Sequence, residues 1–248
     1  DPADRTKYEV GVLREDEGRG GSKLMHRLFT EGRKVFVSKP INHFPLADGT
    51  KHFLMGGGIG VTPMIAFAHE CHAKGIDFEF HYSASKQSDA GFLDDLKAVP
   101  WAEKVNLYFS DQGTRADLDT LLSSYQSGWH VYACGPERYM TSVMEAADRQ
   151  GFPEETRHLE YFSVPDLPEY ENHPFTLRLT QSDREFSIPA DKSAADVLIA
   201  NGYPIDLKCS DGICGVCKCG VMGGDVEPRD FVLANAQRQG AIILCQSL

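Results

Sequence analysis

Four cysteines constrain this 248-residue chain more than any other feature. Cys209, Cys214 and Cys217 form a C-x4-C-x2-C run, and Cys245 follows after a gap of 27 residues. With this spacing, three thiolates from one tight loop and a fourth from a remote residue hold a 2Fe–2S cluster. Gly212 and Gly215 permit the turn and bring backbone N–H groups close to sulfur. Zinc sites more often pair two C-x2-C units, and only one such pair stands in the right context here. Cys219 makes a C-x-C with Cys217 and is read as a non-ligand packed elsewhere. The chain has seven cysteines in all. An odd count, with no apolar signal-peptide core in Asp1–Arg5, disfavours a disulfide framework. It favours metal or redox chemistry in a reducing, cytoplasmic compartment.

The formal net charge is −11, which argues against non-specific nucleic-acid binding, a property of cationic surfaces. No apolar run approaches the ~18 residues of a membrane span. Residues 1–50 are nearly neutral, and most of the acidity lies in 51–173. That distribution reads either as ordinary solubility or as an acidic docking face.

Hydrophobic periodicity divides the chain into three regions and a link. In residues 1–50, Tyr8–Leu13 alternates as a half-buried strand does, and Lys34–Val37 reads as another strand. The turn Gly18–Ser22 and a short helical piece lie between them. Two strands make no stable domain alone, so 1–50 reads as the end of an antiparallel β domain. Residues 51–163 alternate strand and helix, which implies a parallel sheet covered on both faces. Expected strands are His52–Met55, Phe78–Tyr82, Val105–Phe109, Trp129–Ala133 and His158–Phe162. Expected helices are Pro63–Ala73, Phe92–Val99 and Pro136–Arg149, with Thr62 capping the first and Gly75 ending it. Residues 164–173 are rich in proline and acid and read as a linker. Residues 174–248 open with a hairpin, Phe175–Thr180 and Glu185–Ile188. A helix, Ala194–Ala200, leads to the cysteines.

Gly56-Gly57-Gly58-Ile59-Gly60-Val61-Thr62-Pro63 joins the first of these strands to the first helix. A glycine-rich turn before a helix is either a phosphate site or merely a tight turn. It matches neither G-x-G-x-x-G nor the G-K-[ST] phosphate loop. Its place at the carboxyl end of a parallel strand favours a ligand. Ser110–Arg115 and Ala133-Cys134-Gly135-Pro136 follow two other strands. Cys134 therefore stands at the sheet's carboxyl edge, as a thiol of the ligand site or as a small buried hydrophobe. His69, Cys71 and His72 do not make H-E-x-x-H and read as ordinary helix residues.

The order of these motifs resembles the phthalate dioxygenase reductase and vanillate O-demethylase reductase family, the electron-supplying partners of Rieske non-haem iron oxygenases. The motifs are Arg19-Gly20-Gly21-Ser22, the Gly56–Pro63 turn, Cys134-Gly135-Pro136, Glu160-Tyr161-Phe162 and the cysteine run. The resemblance spans essentially the whole chain. It implies an FMN-binding β-barrel (1–50 here), an NADH-binding α/β domain (51–163) and a β-grasp 2Fe–2S ferredoxin (174–248). NADH would deliver a hydride to FMN, and single electrons would pass through the cluster to the oxygenase. The family's R-x-Y-S flavin motif would lie upstream of Tyr8, and a final strand would follow Cys245.

The resemblance also implies site residues. Arg19, Gly20, Gly21 and Ser22 would hold the FMN phosphate, and Val12, Leu13 and Arg14 would lie along the flavin. Gly57, Gly58, Gly60, Gly135 and Pro136 would meet the nicotinamide nucleotide. Thr62 and Cys134, near the nicotinamide, and Phe162, over the flavin, are the candidate catalytic residues. Cys209, Cys214, Cys217 and Cys245 would be the metal ligands. NADH rather than NADPH follows from the family, although Lys86 and Arg115 leave a 2′-phosphate possible. Two other readings stand beside this one: a flavin-less electron-transfer ferredoxin, and the same relay serving a different, carnitine-type monooxygenase.

Overall fold

A computed structural model describes residues 4–37, 39–40, 42–164, 170–233 and 235–246. Two compact units divide the chain, Asp1–Leu159 and Glu160–Leu248.

The first unit begins with α1 (Gly21–Leu28). Its sheet comprises β1 (Lys51–Gly57), β2 (Asp77–Ala84), β3 (Val105–Phe109), β4 (Trp129–Cys134) and β5 (Arg157–Glu160), in the order β3-β2-β1-β4-β5. β1 runs parallel to both neighbours, with Leu54 opposite Phe80 on one side and Tyr132 on the other. The chain builds outward from β1 to β3, then crosses back to add β4. The topological switch therefore falls between β1 and β4, where open parallel sheets bind ligands beyond the strand ends. α2 (Val61–Lys74), α3 (Leu93–Ala98), α4 (Leu118–Leu121) and α5 (Glu137–Arg149) are the connecting helices.

β1 is buried on six of its seven residues, as a central strand covered on both faces must be. Leu54, Phe78, Phe80, Tyr82 and Tyr132 from the strands pack with Val61, Met64, Phe67 and Cys71 of α2 and with Trp101. Gly75 ends α2 in the left-handed conformation at φ 67°, which costs glycine nothing. Thr62 does not cap α2. The helix starts at Val61, and the Thr62 hydroxyl donates to the Ile59 carbonyl at 3.0 Å.

Residues 4–50 differ from the alternation read in the sequence. Among the described residues they contain no strand, and Tyr8, Val10, Leu13, Val35, Phe36 and Val37 are all exposed. Alternation marks a strand only where a partner satisfies its backbone and a core takes its apolar face. Among the described residues, neither is supplied to these two stretches. The segment is instead tied to α1: His26 Nε2 bonds the Val12 carbonyl at 2.8 Å, and Lys23 Nζ donates to the Asp16 carbonyl at 2.7 Å.

The second unit has its own core. β6 (Phe175–Leu179) and β7 (Arg184–Ile188) form the expected antiparallel hairpin. α6 (Ala194–Ala200) starts with a capping box between Ser193 and Asp196, which satisfies two otherwise unpaired N–H groups. β8 (Lys218–Gly220) pairs antiparallel with β9 (Ala241–Ile243). Phe186, Ile188, Leu198, Ile242 and Ile243 form the core, and Cys217 and Cys245 belong to it. Residues 165–169 of the expected linker lie outside the described residues. Beyond them, Arg229, 7% exposed, fastens the chain at Tyr170–Asn172. Its guanidinium donates to Asn172 Oδ1 at 2.6 Å and to the Glu171 carbonyl, and lies over the Tyr170 ring.

Candidate nucleotide and iron–sulfur sites

The turn after β1 and the turn after β4 interlock backbone to backbone. A methyl group added at Gly60 would stand 2.2 Å from the Cys134 carbonyl oxygen, and one at Gly135 would stand 2.8 Å from Gly57 Cα. A methyl at Gly57 would strike Tyr139 and Pro136. These glycines are required for packing at the switch point. Gly58 differs: its φ is +54° and nothing lies within 4 Å of an added methyl. It is the position in this turn where a phosphate can approach the backbone. Sequence reasoning grouped the glycines, because a sequence does not tell which one faces empty space.

Cys134 is fully buried among Leu54, Val61 and Met64. Cys71, buried in the same core cluster, has its thiol pushed up to about 12 by desolvation. Thr62 stands half-buried at the first turn of α2. Its hydroxyl is turned back to Ile59, so its methyl faces the segment carrying Gly11.

At the start of α1, Gly20 is left-handed at φ 92°, and no side chain caps the helix. A hollow of about 450 Å³ is lined by Arg14, Gly20, Lys23, Leu24, His26 and Arg27. Uncapped N–H groups beside cationic side chains suit a phosphate. Ser22 points elsewhere, since its hydroxyl accepts the Glu15 N–H at 3.0 Å. Val12 meets His26 through its carbonyl, while Leu13 and Arg14 are exposed. Phe162 is half exposed and belongs to the second unit, where the neighbouring Tyr161 packs on Phe231.

The cysteine loop is wound tightly. Ser210, Gly212 and Gly215 all have positive φ, at 61°, 71° and 69°. The turns aim backbone N–H groups at sulfur, and Asp211 N–H lies 3.3 Å from Cys209 Sγ. Cys209 lies beside Cys214 and Cys217 beside Cys245, but among the described residues no group of three or more such side chains stands close enough together to hold a metal ion. Its bond to Cys245 and nearby backbone N–H groups pull the Cys217 thiol down to about 6. In the same pair Cys245 is raised, by that bond and by burial. Iron binds thiolates, and a tight loop that turns backbone N–H donors toward sulfur suits a cluster. Cys219 is exposed rather than packed, on β8.

The loop is braced by residues that sequence reasoning missed. Asp230, 5% exposed, accepts the N–H groups of Val232 and Leu233 and pairs with Arg238 at 3.1 Å. Phe231 N–H bonds the Gly212 carbonyl, which ties this brace to the cysteine turn. No motif announces it, because the partners are set by the fold. A second group was also missed. His52, His130 and His158 lie together on β1, β4 and β5, with His130 Nδ1 2.9 Å from His158 Nε2. Both ring nitrogens of His52 are buried without a partner.

Comparison with known proteins agrees with this arrangement. Residues 36–156 match the family described as dimethylamine monooxygenase subunit DmmA-like, N-terminal domain. Residues 177–248 match the 2Fe-2S iron-sulfur cluster binding domain. The chain is 36% identical to the tert-butanol monooxygenase / tert-amyl alcohol desaturase reductase subunit of Aquincola tertiaricarbonis, over 100% of this chain and 77% of that protein. It is 35% identical to vanillate O-demethylase oxidoreductase of Pseudomonas putida, over 96% of this chain and 76% of that protein. The solved structure of phthalate dioxygenase reductase, described as modular for electron transfer from pyridine nucleotides to [2Fe-2S], superposes with a TM-score of 0.64 at 33% identity, over 95% of this chain and 74% of that one. Two units of this architecture, and identity of this extent, place the chain in the phthalate dioxygenase reductase and vanillate O-demethylase oxidoreductase family of oxygenase reductases.

Proposed function

We propose that this protein is the NADH-dependent reductase component of an oxygenase, one of the Rieske non-haem iron type. The observation that carries the reading is the second unit's tightly wound Cys209–Cys217 loop, with an N–H aimed at sulfur and Cys245 in the same core, in a chain that also holds a nucleotide-type switch point. A nicotinamide moves electrons in pairs and an iron–sulfur centre singly, so FMN would supply the conversion and a plant-type cluster, at about −400 mV, the outlet.

The residues divide the work. Cys209, Cys214, Cys217 and Cys245 would hold the cluster, and the N–H groups around Asp211 and Gly212 would stabilise thiolate charge. Gly20, Gly21 and the cations of Arg14 and Arg19 would take the FMN phosphate, and Val12, Leu13 and Arg14 would carry the flavin edge. Gly58 would admit the nicotinamide nucleotide, while Gly57, Gly60, Gly135 and Pro136 hold its two turns together. Thr62 would stand beside the nicotinamide and offer hydroxyl lone pairs. Cys134, buried behind the turn, would shape that site through its backbone. Seven free cysteines suit a reducing compartment such as the cytoplasm.

The test is the visible spectrum of the purified protein before and after anaerobic NADH, with iron and flavin assayed on the same sample. One flavin and about two irons per chain, both bleached by NADH, are expected. Iron without flavin, and no response to NADH, would leave only the electron-carrier reading. Turnover with a Rieske oxygenase, compared with a haem-dependent one, tests the partner.

A further inference from the structure

Phe92 stands out in the first unit as a bulky residue with φ 63°. A left-handed backbone is a rare and costly conformation for an aromatic residue, and it persists only where surrounding structure enforces it. Phe92 precedes α3, and its carbonyl accepts Leu96 N–H at 2.9 Å. Capping a six-residue helix does not need an aromatic ring. The ring is half-buried against the sheet-and-helix core and forms one wall of a notch. The other wall is the methyl of Thr62. Gly11 fills the notch: a methyl group added there would lie 2.8 Å from Thr62 Cγ2 and 3.1 Å from Phe92 Cε2 and Cζ.

The notch connects two parts of the unit. Gly11 adjoins Val12, whose carbonyl is bonded to His26 of α1, and α1 begins at the phosphate-type hollow. Thr62 lies on the first turn of α2, beside the nucleotide turn. The ring of Phe92, held on its left-handed backbone, therefore sets how closely residues 11–14 approach the start of α2.

We propose that Phe92 is a positioning residue for hydride transfer, fixing the flavin-bearing segment against the nicotinamide site by holding Gly11 in register with Thr62. This rests on the functional reading above. A misplacement of about 1 Å can cost ~100-fold in rate, so a lost wall should reduce the rate of the reaction more than the affinity for NADH.

The experiment compares the full-length protein with Phe92→Gly, Phe92→Leu and Gly11→Ala. Phe92→Gly removes the ring and relieves the backbone, so a mere capping role predicts a protein at least as stable and as fast as the parent. Two readouts are taken: flavin reduction at saturating NADH, and amide exchange over residues 9–16, which needs no turnover. Phe92→Gly and Gly11→Ala should slow reduction ~10- to 100-fold, with the NADH half-saturation within ~3-fold and the cluster spectrum unchanged. Exchange over 9–16 should quicken in both, and Phe92→Leu should recover part of each loss. Unchanged exchange overturns the notch. Faster exchange with an unchanged reduction rate overturns the positioning role. A parent that NADH does not bleach overturns the functional reading and the positioning role together, while exchange still decides the notch.

Discussion

Gly60→Ala should damage the first unit more than any other single methyl group added to its nucleotide turn. The added carbon would lie 2.2 Å from the Cys134 carbonyl oxygen, 2.3 Å from the carbonyl carbon and 2.6 Å from Gly135 N. Comfortable separations are about 3.5–4.0 Å, so the ends of β1 and β4 must part by more than an ångström. Overpacking against movable side chains costs about 1–3 kcal/mol. Here the obstacle is backbone within a paired sheet, which places the cost at the top of that range, about 3 kcal/mol. For a domain of this size each kcal/mol lowers Tm by about 2–4 °C, so a drop of about 6–12 °C is expected. Gly58→Ala is the control. It meets nothing within 4 Å but must hold φ +54°, at about 1–2 kcal/mol for a left-handed residue. Both tryptophans, Trp101 and Trp129, belong to the first unit. Tryptophan fluorescence therefore follows that unit's melting, while cluster absorbance follows the other. A Gly60→Ala protein melting within about 2 °C of the parent, or one more stable than Gly58→Ala, would refute the interlocked-turn account.

Three further expectations follow from the same structure. Cys217→Ser should lose its iron while Cys219→Ser keeps it, since Cys219 is exposed on β8; an iron-free Cys219→Ser protein would reassign the ligands. Asp230→Ala leaves Arg238 without its buried carboxylate, so it should cost about 3–5 kcal/mol; cluster absorbance on heating should collapse earlier, and an unshifted melt would make the brace dispensable. His52 and His158 are held by desolvation at about 4, below the ordinary 6.5. Unfolded histidine takes up its proton near pH 6.5 and these do so only near 4, so stability should fall as pH drops through that window. The fully buried His52 alone accounts for about 3 kcal/mol at the acid end. Denaturant unfolding from pH 7 to 4.5 should show the slope, and His52→Leu should flatten it.

Much of the architecture was legible because it is written in local signals. β3 and α6 fall where the periodicity put them, and the cysteine spacing marks its loop without help from the fold. Thr62 was misread as a cap because Ile59 and Gly60 coil before α2, and no single-residue preference reports where a helix turn tightens. The strands expected at Tyr8–Leu13 and Lys34–Val37 fail for a different reason. Alternation records only which face could be apolar, and a ladder also needs a partner. The Phe92 notch and the Asp230–Arg238 brace were invisible because each joins residues whose proximity the tertiary fold alone creates. The histidine trio was invisible too, since its members are separated by 78 and 28 positions and meet only through strand order.

The place of Cys217 and Cys245 in the second unit's core bears on how the chain is made. Synthesis proceeds from the N-terminus at about 5–20 residues per second. The five strands of the first sheet are complete by Glu160, whereas β9 and Cys245 come some 85 residues later. For about 4–17 s, then, the nascent protein holds a finished nucleotide-type sheet beside a half-made core. During the last part of that interval three thiols wait in their loop for the fourth. On the proposed ligand set, iron delivered too early would meet only part of it. Cluster insertion by these four thiols would therefore belong to the end of biogenesis, after Ala241–Ile243 has paired with Lys218–Gly220.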